Sequence, residues 1–345
     1  MFPALIEKLT RREDLTSEEA AAAMTEVMEG RATPASLAGL LIALAMKGER
    51  PTELVGLARA MRAHAVPMTH PYDRVFDTCG TGGDRSGTFN ISSCTAIVVA
   101  ACGVPVAKHG NRSVTSRSGS ADVFEALGVR VTARPAVVER CLAEAHLGFL
   151  FAPTFHPAMR HAAAVRRELG VRTAFNLLGP LTNPAGARRQ LIGVPQPELT
   201  ELMARALLLL GAERVWVVHG AGGLDEISTI GDTKVSEGRD GSVNTFYLHP
   251  ADVGLPKARA DELAGATPHD NARIIERVLA GERGAARDVV LFNAGAALFI
   301  AGVAASVDDG VARASHAIDH GDAKQVLDRV REISAADDPT EKGVA

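Results

Sequence analysis

The sequence predicts an α/β protein: a small all-helical N-terminal domain, then a larger α/β domain whose mostly parallel central sheet is covered by helices. Three observations predict it. Residues 1–70 carry only helix-period patterning, β-rich apolar runs alternate with helical stretches after "HPYDR", and glycine-rich polar loops follow several of those runs.

In order along the chain, residues 3–9, 17–28, 34–46 and 52–63 are helical in pattern. "TSEE" at Thr16 to Glu19 is a capping box, and Gly30 and Gly48 stop the second and third helices. A short strand begins at Val75 and Phe76 and ends near Cys79. Residues 95–102 read as an apolar helix and 104–107 as a second strand. Apolar runs at 129–132, 137–145, 149–151, 215–218 and 289–292 continue the alternation, which implies a largely parallel sheet buried on both faces. Residues 157–185 turn helical and polar again, with "GPLTNP" breaking the pattern at 179–184. This stretch is expected to cross back to the helical domain, giving two chain crossings and a hinge. The expected division is 1–70 helical with a return segment around 170–190, 74–165 and 191–333 α/β, and 334–345 a flexible tail, the end of the polar "EISAADDPTEKGVA".

Composition narrows the function. The 345 residues are 46% hydrophobic and 23% charged, the makeup of a globular chain, and a net charge of -4 argues against a nucleic-acid binder. Cys79, Cys94, Cys102 and Cys141 form no CxxC pair, and the N-terminus lacks a signal-peptide apolar core, so a reduced, cytoplasmic protein is expected. The uncharged run at 289–307 is interrupted by Asn293 and Gly295. It reads as a buried strand ending at Phe292 followed by a packed helix, in preference to a membrane span.

Three loops carry the chemistry. "DTCGTGGDRSGTFNIS", residues 77–92, places Gly80, Gly82 and Gly83 between a strand end and a helix start near Asn90 to Ser93. Glycines allow close approach of backbone N–H groups, and a helix start adds unpaired donors, so the loop suits a phosphate or pyrophosphate. It is neither a Walker loop nor a dinucleotide fingerprint, and an ordinary strand-to-helix turn capped by Asn90 or Ser92 is the alternative. "VPVAKHGNRSVTSRSGSADV", residues 104–123, runs from a strand into Lys108, His109, Asn111 and Arg112 with five hydroxyls by Ser120, a phosphate and sugar environment. "VVHGAGGLDEIS", residues 217–228, ends a strand at adjacent Asp225 and Glu226, suited to Mg²⁺ shared with a pyrophosphate.

These motifs together closely resemble the anthranilate phosphoribosyltransferase family of tryptophan biosynthesis. The resemblance rests on "GTGGD" at Gly80 to Asp84, "FNIS" at Phe89 to Ser92, "KHGNRSV" at Lys108 to Val114 and "SGSADVFEALG" at Ser118 to Gly128. It continues with "HPAMRHAAAVRRELGVRTAFNLLGPLTNP" at His156 to Pro184 and "GLDEIS" at Gly223 to Ser228. It implies a helical domain hinged to an α/β domain, with 5-phosphoribosyl-1-pyrophosphate between them and dimerisation through the helical domain. By carry-over, Gly80, Gly83, Asp84 and Thr88, with Asn90, Ile91, Ser92 and Ser93, surround the pyrophosphate and ribose. Lys108, His109, Gly110, Asn111, Arg112, Ser113, Val114, Thr115, Ser116 and Ser120 complete the cradle. Ser92, Asp225 and Glu226 ligate Mg²⁺, and anthranilate lies near Gly80, His109, Asn111 and Arg166. Arg85 and Ser93 depart from the usual loop sequence.

The implied reaction builds negative charge on a leaving pyrophosphate, which a cation and loop N–H groups stabilise. The residues implied to act on it are Lys108, His109 and Asp84, with no general base assigned. Lys108 ends a strand at a loop in this reading, and His109 either orients anthranilate or bonds within its turn. Arg166 is expected to hold the anthranilate carboxylate, against a surface ion pair with an acid such as Asp122. A pyrimidine nucleoside phosphorylase and a catalytically silent nucleic-acid-binding relative are the competing readings.

Overall fold

The computed structural model describes residues 1–84, 86–113 and 117–336. Arg85, Val114, Thr115 and Ser116, and nearly all of the expected tail, lie outside the described residues.

Helices α1 (Phe2–Thr10), α2 (Ser17–Met28), α3 (Pro34–Lys47) and α4 (Pro51–Ala63) come first in the chain. The Thr16 hydroxyl accepts from the Glu19 N–H, and the Glu19 carboxylate accepts from the Thr16 N–H in return. Gly30 and Gly48 take φ of 73° and 88°, left-handed values that end their helices. Then follow β1 (Phe76–Gly80), α5 (Ile91–Ala101), β2 (Val106–Gly110), α6 (Ser120–Ala126), α7 (Pro135–Ala145) and β3 (Leu147–Phe151). Short α8 (Ala152–Phe155) leads to α9 (Arg160–Leu169) and α10 (Phe175–Leu181), and β4 (Arg189–Gly193), α11 (Leu199–Leu209) and β5 (Arg214–Gly220) resume the sheet. The chain closes with β6 (Thr233–Arg239), β7 (Ser242–Leu248), α12 (Pro268–Leu279), α13 (Ala285–Ala301), α14 (Val307–Asp319) and α15 (Asp322–Ala335).

The seven strands run in the order β3-β2-β1-β4-β5-β6-β7. The first five are parallel and the last two antiparallel. Side chains alternate between two cores, as the strand period requires. On β5, Trp216 and Val218 enter one core with α5, α7 and α12 to α15, while Val215 and Val217 enter the other. That second core is continuous with the helical lobe, where Ala162, Val165, Phe175, Leu178 and Leu181 from α9 and α10 join Leu40, Leu44, Leu54 and Leu57.

Several sequence expectations are corrected. Val289 to Phe292 is part of the continuous helix α13, buried nearly all round, so an apolar run that mimics a core strand is a core helix. Residues 129–132 form no strand. Gly179 and Pro180 lie inside α10, which runs on to Leu181. The C-terminal polar stretch does not start solvated, because α15 reaches Ala335 and buries Ile333 and Ser334. No helix among the described residues is long and apolar enough to cross a membrane.

Candidate active site

The three loops meet at the carboxyl ends of β1, β2 and β5. Gly80 ends β1 beside Gly193 at the end of β4. A Cβ on Gly80 would lie 2.3 Å from Asp225 Oδ2, and one on Gly193 would lie 1.5 Å from the Asp225 carbonyl oxygen. Two glycines therefore open the space in which the acidic loop crosses the strand ends. That loop is pinned from below by Asn293 of α13, which donates to the Ile227 carbonyl at 2.8 Å and accepts from the Ile227 N–H at 3.0 Å. The asparagine interrupting the apolar run thus has a definite task.

Asp225 accepts from the Gly82 N–H at 3.0 Å, and Glu226 accepts from the Ser92 N–H at 2.9 Å. Burial and the nearby charge of Asp84 push the Asp225 carboxyl above its ordinary range; burial and Asp225 do the same to Glu226. Three acids so placed repel, and Lys108 is the cation that partly offsets Glu226. Lys108 does not end its strand, as the sequence suggested: it sits within β2, 1% exposed, donating to the Thr78 carbonyl and, at 3.3 Å, to Ser92 Oγ. Among the described residues no three His, Cys, Asp or Glu side chains close a metal cage. The donors present, two carboxylates and the Ser92 hydroxyl, are oxygen only and incomplete, which fits Mg²⁺ sharing its shell with a phosphate ligand.

The start of α5 is occupied differently from expectation. Asn90 sits at the N-cap but its side chain makes no cap bond; it donates to the Ser118 carbonyl and accepts from Ser118 Oγ and Asn271 Nδ2. Glu226 takes the cap position on Ser92 instead. Ile91 and Ser93 are buried, and the Ser93 hydroxyl has no partner among the described residues. Ser86 links Asp84 to Thr88, and a bridge from Thr88 to Ala264 ties down the loop's far end.

The second loop divides. His109 belongs to β2 and not to a turn; its N–H donates to Asp77 Oδ1 at 3.2 Å and its Nδ1 lies 3.0 Å from the Gly179 carbonyl. Its ring is 5.1 Å from that of His156, whose ring nitrogens have no hydrogen-bond partner among the described residues. Burial lowers the pKa of both, His156 to about 3, so the pair is neutral at pH 7. A Cβ on Gly110 would lie 2.3 Å from Ser120 Oγ, which accepts from the exposed Asn111 N–H. Arg112 is exposed and paired with Asp122 and Glu125, so its charge is balanced on α6; Ser113 also donates to Asp122. Asp122 is therefore Arg112's partner, not Arg166's.

Arg166 is half-buried on α9 with its guanidinium 5.1 Å from the Phe175 ring centre, and burial lowers its pKa. Arg167 beside it is exposed. Helix α10 carries Phe175 against Arg166 and, one turn on, Gly179 against His109. Asp77, Asn183, His156 and Arg172 were not singled out from sequence. Asn183 donates to Asp77 Oδ2 at 2.7 Å, fixing the buried acid beneath His109. The "TNP" around it reads locally only as a turn.

Two lobes, a parallel sheet and phosphate-type loops at its carboxyl edge define a transferase of the glycosyl transferase class. Residues 3–65 match the helical bundle domain of the glycosyl transferase family and residues 72–324 its a/b domain. The chain is 53% identical over 331 residues to the anthranilate phosphoribosyltransferase of Symbiobacterium thermophilum, covering 96% of this chain and 97% of that one. A crystal structure of the Thermus thermophilus enzyme of that name superposes with a TM-score of 0.90 at 46% identity, covering 96% and 99% of the two chains. The Saccharomyces cerevisiae enzyme in complex with 5-phosphoribosyl-1-pyrophosphate and Mg superposes at 0.88 with 27% identity, covering 97% and 98%. The chain belongs to the anthranilate phosphoribosyltransferase family.

Proposed function

We propose that the chain transfers the 5-phosphoribosyl group of 5-phosphoribosyl-1-pyrophosphate to the amine of anthranilate, releasing pyrophosphate, in tryptophan biosynthesis. The observation that carries this reading is the Asp225 and Glu226 pair set against the Gly80 to Asp84 loop, with Lys108 behind Ser92. Asp225, Glu226 and Ser92 hold Mg²⁺, which when bound offsets the charge of the departing pyrophosphate. Gly80, Gly83, Asp84, Thr88 and the start of α5 hold the pyrophosphate and ribose. Lys108 keeps Ser92 oriented and supplies positive charge from beneath. No strong base is required, because the attacking amine is neutral and gives up its proton late. His109, kept neutral by burial, orients the amine by hydrogen bonding. Arg166 faces the carboxylate, a planar acceptor that a guanidinium fits in bidentate fashion.

The helical lobe also supports a homodimer. Ala35, Ala45 and Met46 of α3 are exposed and Ile42 is half-buried, with Met46 75% exposed. Met46→Glu is expected to shift the protein to monomer in sedimentation. Four free cysteines suit a cytoplasmic location.

The test of the activity is pyrophosphate release with and without anthranilate. Release that requires anthranilate supports the reading; phosphorolysis of a nucleoside in its place overturns it.

A further inference from the structure

Arg172 lies on the return passage between α9 and α10, whose apolar residues belong to the helical lobe's core. Its side chain reaches out of that lobe: Nη1 donates to the Gly82 carbonyl at 3.0 Å. On the other side of the same residue, the Gly82 N–H donates to Asp225 Oδ2 at 3.0 Å. One glycine therefore has its N–H on the metal carboxylate and its carbonyl on the lobe. Gly82 and Gly83 have φ of 70° and 79°, a left-handed pair that turns successive peptides, and a Cβ on Gly83 would fall 2.2 Å from Arg172 Nη1. The guanidinium stands where a side chain at 83 would begin, and the positive φ there favours glycine in its own right. Glu49, in the turn between α3 and α4, is near enough to be influenced by the Arg172 charge, so the lobe faces this arginine from two segments.

We infer that Arg172 is a positioning residue for the pyrophosphate loop: it turns the Gly82 carbonyl away from the ligand and passes the placement of the helical lobe to Asp225 through that single residue. The inference rests on the proposed function for the identity of the ligand. A carbonyl oxygen aimed at a pyrophosphate oxygen repels it, whereas a carbonyl held by a guanidinium leaves the anion to the N–H groups of the loop that Asp225 and Gly193 do not take. Arg172 acts on binding of the phosphoribosyl donor, and anthranilate is read elsewhere, by Arg166.

The test compares Arg172→Gln, Arg172→Lys and the exposed control Arg167→Gln. Arg172→Gln is expected to raise KM for 5-phosphoribosyl-1-pyrophosphate about tenfold, the loss of one charge-assisted hydrogen bond, with KM for anthranilate within about twofold. Arg172→Lys keeps a charged donor for one carbonyl and is expected to recover most of this. Calorimetric binding of the donor with Mg²⁺ gives the same comparison without turnover. In an Asp225→Asn background the Arg172→Gln effect on that binding is expected to shrink, because both act through Gly82. An unchanged KM for the donor, equal changes in both KM values, or no recovery with lysine and full additivity with Asp225→Asn would overturn the inference. Absence of anthranilate-dependent pyrophosphate release in the unaltered protein would instead overturn the proposed function.

Discussion

Replacing Lys108 by Met separates two roles that the buried ammonium combines. Methionine has nearly the same length and no donor, so the Thr78 carbonyl loses a charge-assisted bond and Ser92 Oγ a weaker one at 3.3 Å. A bond to a charged group contributes about 1.5–3 kcal/mol and a buried acceptor left alone costs about 1–3 kcal/mol, while removing the ammonium recovers some desolvation. Asp77 and Glu226 also lose the positive charge that draws their carboxyls down. The expected net destabilisation is about 2–3 kcal/mol, or about 3–4 °C in Tm for a chain of this size. The structure thus replaces the sequence-based view of a lysine at the loop end of its strand. Loss of the charge beneath the loop is expected to raise KM for the phosphoribosyl donor at least about tenfold. Calorimetry and initial rates on one preparation measure both. A lowered Tm with a normal KM for the donor refutes the electrostatic role, and an unchanged Tm refutes the burial argument.

Asp225→Asn with Glu226→Gln is expected to lower turnover by about 10² at ordinary Mg²⁺, the scale of losing preorganised charge; unaltered activity and Mg²⁺ dependence would remove the pair from the site. Arg166→Ala is expected to raise KM for anthranilate about tenfold with much less change for the donor, while Arg167→Ala is mild for both. A larger effect at Arg167 would misplace the acceptor site. His156 has a folded pKa of about 3, below its unfolded value, so its contribution to stability is present above pH ~6.5 and is lost as pH falls toward the folded value. Tm measured from pH 7 to pH 4 is expected to fall less steeply in His156→Gln than in the unaltered protein, and equal slopes would contradict this origin.

What the sequence revealed tracks how locally each feature is encoded. The second and third helices carry a threonine cap and a glycine stop within a few residues of their ends, and the limits of all four are found to within one or two residues. Strand β2 lies later than the apolar residues 104–107 suggest, because Lys108 and His109 look like loop residues until Thr78, Asp77 and Gly179 provide buried partners from elsewhere. Strands β6 and β7 lie outside the apolar runs the sequence singles out, although "RDGS" marks their turn, with Asp240 and Gly241 at φ of 51° and 76°. In the site, the glycine loop and the acidic pair are short patterns and were legible. Asp77, His156, Arg172 and Asn183 were not, since each gains its role from a residue tens of positions away.

The lobe built from α1 to α4 together with α9 and α10 has a timing problem during synthesis. Its first four helices leave the ribosome with their apolar sides exposed, and the segments that cover them follow only after about a hundred more residues. At about 5–20 residues per second that interval lasts about 5–20 s, far longer than helix formation or chain collapse. Through it, Leu40, Leu44, Leu54 and Leu57 lack the cover of Val165, Phe175 and Leu178. Nascent chains on one message would carry the same uncovered surface side by side. Completion of the lobe must then await half the chain, and a truncated product ending before α9 is expected to be a ready target for chaperones and proteases.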